Sequence, residues 1–456
     1  MLRSTFMTLL LAVAAFGTAG AAPMSADQAV KIALQHNPQA LQAEASVLDA
    51  KSGLWSAYSA VLPNVNGSYT VSHSSTTPVD DRFTTFFGPI PVYYQSISSR
   101  STSTSPTLSG RWNVFNLSSL HSLSAARQSS QAAQLSRSSS RNDVALAVRQ
   151  HFYEVVRAIH LSEVAKQALK LARDNERRVH ALFEVGSVSK SDLLKAKVVS
   201  GQSAVDSLVA DHSVVNARIG LSEALGLAEK DLGDIDTTLS ATYATYDEAT
   251  VLTEARAARP DIKAADAEMK SAELGISAAR WARLPYVSAS ASATFRPKTE
   301  STSETAYFDS LSAPTGTTRS QSTTSKSKAQ YNASIALNWD LFDLGNDARS
   351  SSAKARLIRS RETRDALLRN LQSEVHQAML GHQEAVEREG LARQTLESAT
   401  ENLNLVQQKY NVGSATILDL IDSQVQFNRA QSDLVSALAS IRVAEATLER
   451  VRGKGE

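Results

Sequence analysis

The sequence predicts a mainly helical chain that also carries β-strands of membrane-spanning length. It is built as two copies of one plan: strand, strand, long helix, turn, returning helix. Three observations predict this. Landmarks recur at two constant offsets along the 456 residues. Four short runs, in two repeated pairs, alternate apolar and polar residues. Two stretches of 66 and 64 residues, 119–184 and 348–411, contain no proline, and the only glycines in them are Gly381 and Gly390.

The repeat comes first, because missing it would misread the whole fold. Asn37-Pro38 returns as Arg259-Pro260, and Leu62-Pro63 as Leu284-Pro285, both 222 residues later. Trp112 to Leu117 returns as Trp339 to Leu344, and Phe183 to Ser187 as Tyr410 to Ser414, both 227 residues later. The five extra residues fall between Pro285 and Trp339, and insertions concentrate in loops. The plan divides the chain into 22–62 (N-terminal helices), 63–118 (first β-hairpin with an outer loop) and 119–228 (first long helical hairpin). The second copy follows as 229–284 (a link with short helices), 285–345 (second β-hairpin and outer loop) and 346–456 (second long helical hairpin and tail).

Residues 1–21 read as a secretory signal that is removed: Arg3, an apolar run from Phe6 to Phe16, then Ala19-Gly20-Ala21. Each half then opens with a short helix, 25–35 and 247–258. Ser25 and Gln28 have the spacing of a capping box, and Asn-Pro or Arg-Pro ends the helix. Second helices follow over 39–61 and 262–283, and Leu-Pro stops each of them.

After Leu284-Pro285 the period changes to two. Val287, Ala289, Ala291, Ala293 and Phe295 alternate with Ser288, Ser290, Ser292 and Thr294. Tyr331, Ala333, Ile335 and Leu337 form the partner run. In the first half, Val65, Tyr69 and Val71 pair with Leu108, Trp112 and Val114. Period two marks a strand with one apolar face, and about ten residues is the length that crosses a bilayer. Small hydroxyl residues opposite the apolar face suit a wet lumen, and Trp112 and Trp339 lie near strand ends, where an aromatic belt would sit. A half-buried strand of a soluble sandwich would read alike in any single case; four in two repeated pairs favour the membrane. The Ser/Thr-rich stretches between the pairs, 73–100 and 298–328, read as surface loops, with Phe83, Phe86, Phe87, Tyr93 and Tyr94 in the first.

A single helix over 119–184 would span ~99 Å. Such helices need partner helices, and returning helices are predicted over 191–225 and 417–450. Four strands leave two open edges, which hydrocarbon does not tolerate, and closed membrane barrels begin at about eight strands. Two copies would supply eight and three would supply twelve; three suit a hollow helical tube better.

These features resemble the TolC family of outer-membrane efflux channels. The resemblance covers nearly all of the mature chain. It rests on the duplicated Asn-Pro and Arg-Pro landmarks, the Leu-Pro steps into strands, and the run from Tyr410 to Asp422 with its echo from Phe183 to Leu193. It implies a homotrimer with four strands per chain in a 12-stranded barrel, continuous with a 12-helix periplasmic α-barrel. The 229–284 link would be its equatorial region. It also implies a passive exit duct for a tripartite efflux pump or a type I secretion system. A periplasmic adaptor (membrane fusion) protein and an inner-membrane transporter would open its gate, with outer-membrane lipid around the barrel.

The resemblance places Asp419 and Asp422 at the constriction of that gate. Spaced i, i+3, they share one helix face, and six carboxylates around an axis would favour cations and bind blocking divalent ones. Thr416 and Asp419 also have capping-box spacing, repeated by Ser189 and Asp192, so a cap explains Asp419 as well as a gate does. Capping does not reach Asp422, whose repeat partner is Lys195; that leaves a special role for Asp422 or a Lys195–Asp422 pair. Asp192, Tyr410 and Lys195 are expected among the closed-state tip links. Ala415 stands where some relatives carry Arg, so one link of that lock is missing. The turns at Gly186 and Gly413, with Val185 and Val412, are expected to be tight helix–helix turns and the contact points for adaptor or pump.

Other chemistry finds little footing. With 47 Lys plus Arg against 46 Asp plus Glu, there is no basic excess for nucleic acid. The absence of cysteine removes disulfides, thiolate metal sites, Cys nucleophiles and lipidation at an N-terminal Cys. The nine His form no His-Glu-x-x-His, and His376 and His382 read as solvated or packed helix residues. No Gly-x-Ser-x-Gly and no phosphate-binding Gly loop appears, so neither an enzyme nor a cofactor is expected. The rival reading from another class is a trimeric coiled-coil adhesive protein with a β anchor. The duplicated helical hairpins argue against it.

Overall fold

The computed structural model describes residues 23–76, 82–87, 90–239, 244–295, 297–308, 314–325 and 328–455. The signal segment 1–21 lies outside them, as do the side chains of Phe83, Phe86, Phe87, Tyr93 and Tyr94. Contacts divide the chain into two compact units. One is helical, from Met1–Asp49, Gln131–Glu268 and Ser360–Glu456; the other, from Ala50–Ser130 and Met269–Arg359, holds the sheet.

In the helical unit, α1 (Ala26–His36) starts at Ser25 with the expected capping box: the Ser25 side chain accepts from the Gln28 N–H and the Gln28 side chain accepts from the Ser25 N–H. Asn37 ends it and begins α2 (Pro38–Ser59); the Asn37 Oδ1 accepts from Gln39 N at 2.7 Å, and its Nδ2 donates to the Ala224 carbonyl at 2.8 Å. The long helices α3 (Leu117–Glu184) and α7 (Leu344–Asn411) have 68 residues each. They return through α4 (Lys190–Leu225) and α8 (Ile417–Val451). The second copy of the short pair is α5 (Glu248–Ala258) and α6 (Pro260–Trp281).

The duplication is visible in the cores. Ala29, Ala33 and Ala40 pack with Val144, Val148 and Leu221. Their counterparts at the same two offsets, Val251, Ala255 and Ile262, pack with Leu371, Val375 and Leu448. Gly226 and Gly453 close the returning helices at φ 71° and 76°. A Cβ on Gly226 would lie 2.5 Å from the His36 carbonyl oxygen, and one on Gly453 3.0 Å from the Arg259 backbone. Both glycines are therefore required by conformation and by space.

The halves differ where Asn37 is replaced by Arg259. Arg259 is only 4% exposed. It pairs with Asp261 at 2.6 Å and with Glu374, while Arg450 reaches Glu374 at 3.6 Å and Asp143 at 2.9 Å. Burial works against the Arg259 charge, but the two carboxylates more than offset it and raise its pKa.

The sheet unit corrects two expectations. The chain contributes seven described strands, not four: β1 (Asn64–Thr76), β2 (Arg82–Phe87), β3 (Ile90–Phe115), β4 (Tyr286–Thr294), β5 (Lys298–Phe308), β6 (Pro314–Ser325) and β7 (Gln330–Asn338). The stretches read as loops are largely strand. Threonine is a good strand former, and a run of Ser and Thr shows no apolar alternation to read. The four expected strands form one antiparallel path, β1–β3–β4–β7, and β2 and β5 pair with the distal part of β3. Register puts Val65, Gly110, Ala291 and Ala333 on one face, and Asn66, Ser109, Ser292 and Asn332 on the other. The apolar face is bare: Tyr69, Ile335 and Leu337 are 70%, 80% and 69% exposed. Trp112 and Trp339 each donate their indole N–H to the backbone carbonyl just before a Leu-Pro, on Val61 at 2.9 Å and Arg283 at 3.2 Å. The duplicated Trp thus ties each strand end to the chain that leads into the sheet.

Candidate functional site

The tip of the helical unit is where both hairpins turn. Each long helix ends in the same way. Gly186 N donates to Phe183 O at 2.9 Å and Ser187 N to Leu182 O at 2.8 Å; Gly413 N donates to Tyr410 O at 3.1 Å and Ser414 N to Lys409 O at 2.8 Å. This is the Schellman pattern, which satisfies the last helix carbonyls and places glycine at positive φ. Both glycines have φ of 76°, and nothing lies within 4 Å of where a Cβ would be. Conformation alone demands them. Val185 and Val412 stand 74% and 77% exposed on these turns.

Each returning helix starts with a side-chain cap. Asp192 N donates to Ser189 Oγ at 3.2 Å, and Asp419 N donates to Thr416 Oγ1 at 3.2 Å. The Asp419 carboxylate completes a box, accepting from Thr416 N at 2.8 Å and Thr416 Oγ1 at 2.7 Å. The Ser189 hydroxyl donates to Asp192 Oδ2 at 2.7 Å. These bonds hold both carboxyls below the usual aspartate range: in Asp419 through Thr416, in Asp192 through Ser189 first and Lys195 after it. Asp419 is therefore a helix cap with its charge in solvent.

Asp422, one turn on, is exposed and, among the described residues, accepts only from Gln426 Nε2, at 2.7 Å. Lys195 turns to Asp192, 3.5 Å away on its own helix. The alternative Lys195–Asp422 pair is thus not formed within one copy; both side chains satisfy themselves locally, as i, i+3 and i, i+4 neighbours do.

Beneath the carboxylates the four helices share one cluster: Val179, Leu193, Ala196, Ile417, Leu420 and Ile421, with Tyr410 packed against it. Leu193 and Leu420 are repeat partners, 7% and 0% exposed. Tyr410 is half-buried, and its phenol pKa is raised chiefly by burial, with Arg178 opposing and Asp192 adding to the rise. Arg178 Nη1 donates to Asn411 Oδ1 at 3.2 Å across 233 residues of sequence. Sequence reasoning missed this link, because neither residue belongs to a local pattern that names its partner.

Among the described residues no group of three or more His, Asp or Glu could hold a metal, and no helix is long and apolar enough to cross a membrane. His376 pairs with Glu248 at 3.2 Å, and His382 is buried edge-on against Tyr246. Burial lowers the His382 pKa.

Comparison with known proteins agrees with this architecture. The family model described as outer membrane efflux protein matches residues 29–227 and 251–454, one segment for each half. The fold is similar to that of the outer membrane channel CmeC of Campylobacter jejuni, at 16% identity over 94% of this chain and 86% of that one, with a TM-score of 0.73. The outer membrane protein VceC of Vibrio cholerae matches at 17% identity over 94% and 96%, TM-score 0.72. The outer membrane channel MtrE of Neisseria gonorrhoeae, in its open state, matches at 18% over 94% and 89%, TM-score 0.71. No curated protein matches the sequence significantly.

Proposed function

The chain belongs to the outer membrane efflux protein family, and from that premise we propose that three copies form one passive exit duct in the outer membrane of a Gram-negative bacterium. Membership makes it an efflux protein rather than an enzyme. In this reading the β1–β3–β4–β7 sheets of three copies join into one barrel, and the helical hairpins join into a periplasmic tunnel. An adaptor protein and an inner-membrane transporter, of a tripartite pump or a type I secretion system, open its tip.

One observation carries the reading. The four-strand sheet presents an exposed apolar face, while β1 and β7 each leave one edge unpaired among the described residues. Open edges and bare apolar strands are tolerated in a bilayer only when further strands close them. In water they would invite aggregation.

Asp419 and Asp422 are the proposed gate. Both carboxylates are exposed on one face at the start of α8, and a trimer would bring six of them around the axis. Asp192, Lys195, Tyr410 and the Arg178–Asn411 bond are proposed to hold the tip closed. The Val185-Gly186 and Val412-Gly413 turns would offer their exposed valines to the adaptor or pump.

Single-channel recording in planar bilayers tests this. The parent should show a small, cation-selective conductance that millimolar Mg²⁺ reduces. Asp419→Ala/Asp422→Ala should enlarge it and abolish the Mg²⁺ effect. Unchanged conductance in the double variant would return both aspartates to capping and solvation. A well-folded protein that never conducts would remove the duct.

A further inference from the structure

One position on the polar face of the sheet stands apart in charge. Across β1, β4, β7 and residues 99–113 of β3, every residue that register places on that face is uncharged (Ser, Thr, Asn, Gln, Ala and, at the start of β4, Tyr286) except Arg111. Arg100, Arg319 and the charges of β5 lie on the opposite face. Arg100 pairs with Ser75 and Thr302, Lys298 with Thr104, Glu300 with Thr102, and Glu304 with Ser98 and Arg319. A neutral hydroxyl wall with a single cation set into it is the pattern to explain.

Arg111 sits opposite Asn64, the first residue of β1, and opposite Ser290 of β4. It is exposed, and among the described residues it has no carboxylate or hydrogen-bond partner. It lines an open hollow of about 700 Å³ with Asn66, Ser292 and Asn332, bordered by Ser59 and Leu62 on the segment that leads into the sheet. Guanidinium keeps its charge at every physiological pH. With no acid to neutralise it, its field acts on whatever enters the hollow. Rings of such side chains favour anions in pores.

We propose that Arg111, supplied once by each copy, forms a cationic ring at the helix-side mouth of the barrel. That ring makes this end of the duct a site for small anions and acidic solutes, in contrast to the acidic tip. The inference rests on the multi-copy barrel proposed above and adds a selectivity element to it.

The test is the permeability ratio of chloride to potassium across a KCl gradient at low ionic strength, where screening is weakest. Asp419→Ala/Asp422→Ala serves as the background, so that the tip does not dominate. Arg111→Gln should lower the ratio by at least about threefold and Arg111→Glu further, whereas Arg111→Lys keeps it. Inositol hexakisphosphate should reduce the conductance of the background and of Arg111→Lys, and leave that of Arg111→Gln unaffected. Unheated electrophoretic mobility verifies that each variant assembles. Equal ratios in all variants would overturn the ring and leave the duct standing. Assembled protein that conducts in neither parent nor background would overturn the duct itself, and the ring with it.

Discussion

At the scale of single residues, position rather than type decides what a glycine is worth. Gly186 and Gly226 share a positive φ, but only Gly226 faces a backbone carbonyl where a Cβ would sit. Gly186→Ala should cost about 1 kcal/mol, the left-handed conformation alone. Gly226→Ala adds a clash with the unyielding His36 carbonyl and should cost about 2–4 kcal/mol. Thermal melting of both variants in detergent checks the difference; equal shifts would mean that the contact with α1 relaxes. The cap aspartates give a pH dependence with a definite sign. Asp192 and Asp419 have depressed pKa values, so their contribution is present above the ordinary aspartate value and is lost as pH falls through the folded one. Amide exchange at 189–192 and 416–419, corrected for its intrinsic rate, should be flat from about pH 7 to 5 and accelerate below about pH 4. A flat profile down to about pH 3 would show that the hydroxyls alone hold these caps.

At the scale of elements, the two halves share cores but not the joint between their short helices. Asn37 joins α1 to α2 through neutral hydrogen bonds, whereas Arg259, itself buried, joins α5 to α6 through ion pairs with the partly exposed Asp261 and Glu374. Removing the guanidinium leaves Asp261 without its ion-pair partner and Glu374 with only Arg450, so Arg259→Ala should cost about 1–3 kcal/mol. Arg259→Ala/Glu374→Gln should recover part of that loss, because one of the two carboxylates is gone. Urea unfolding of the four members of this cycle measures the coupling; strict additivity would deny the link between α5 and α7.

At the scale of the whole molecule, the edges of β1 and β7 left unpaired among the described residues are where the proposed copies would join. A chain without cysteine is a clean background for testing it. Paired cysteines placed between 66 and 72 of β1 and between 330 and 336 of β7 should cross-link neighbouring copies into closed trimers in native membranes. A ladder of dimers, tetramers and larger species would indicate open-ended pairing instead.

The local patterns were legible in the sequence because they are written in neighbouring residues. The capping boxes at Ser25 and Thr416, the glycine turns at 186 and 413 and the period-two runs of β1, β4 and β7 all have partners within a few positions, and the two constant offsets reveal the duplication without any coordinates. The strands in the Ser/Thr-rich stretches were hidden, since a polar run without apolar alternation has no periodicity to betray it. Only the tertiary structure decided that Lys195 turns to Asp192 rather than Asp422, that Arg178 meets Asn411, and that Arg111 is the one charge on its face of β1, β4, β7 and residues 99–113 of β3. Each of these depends on which side chains packing brings together, or keeps apart, across tens to hundreds of residues. Sequence spacing governs neighbours along a helix or strand; the distances between elements are set by burial of their shared apolar faces.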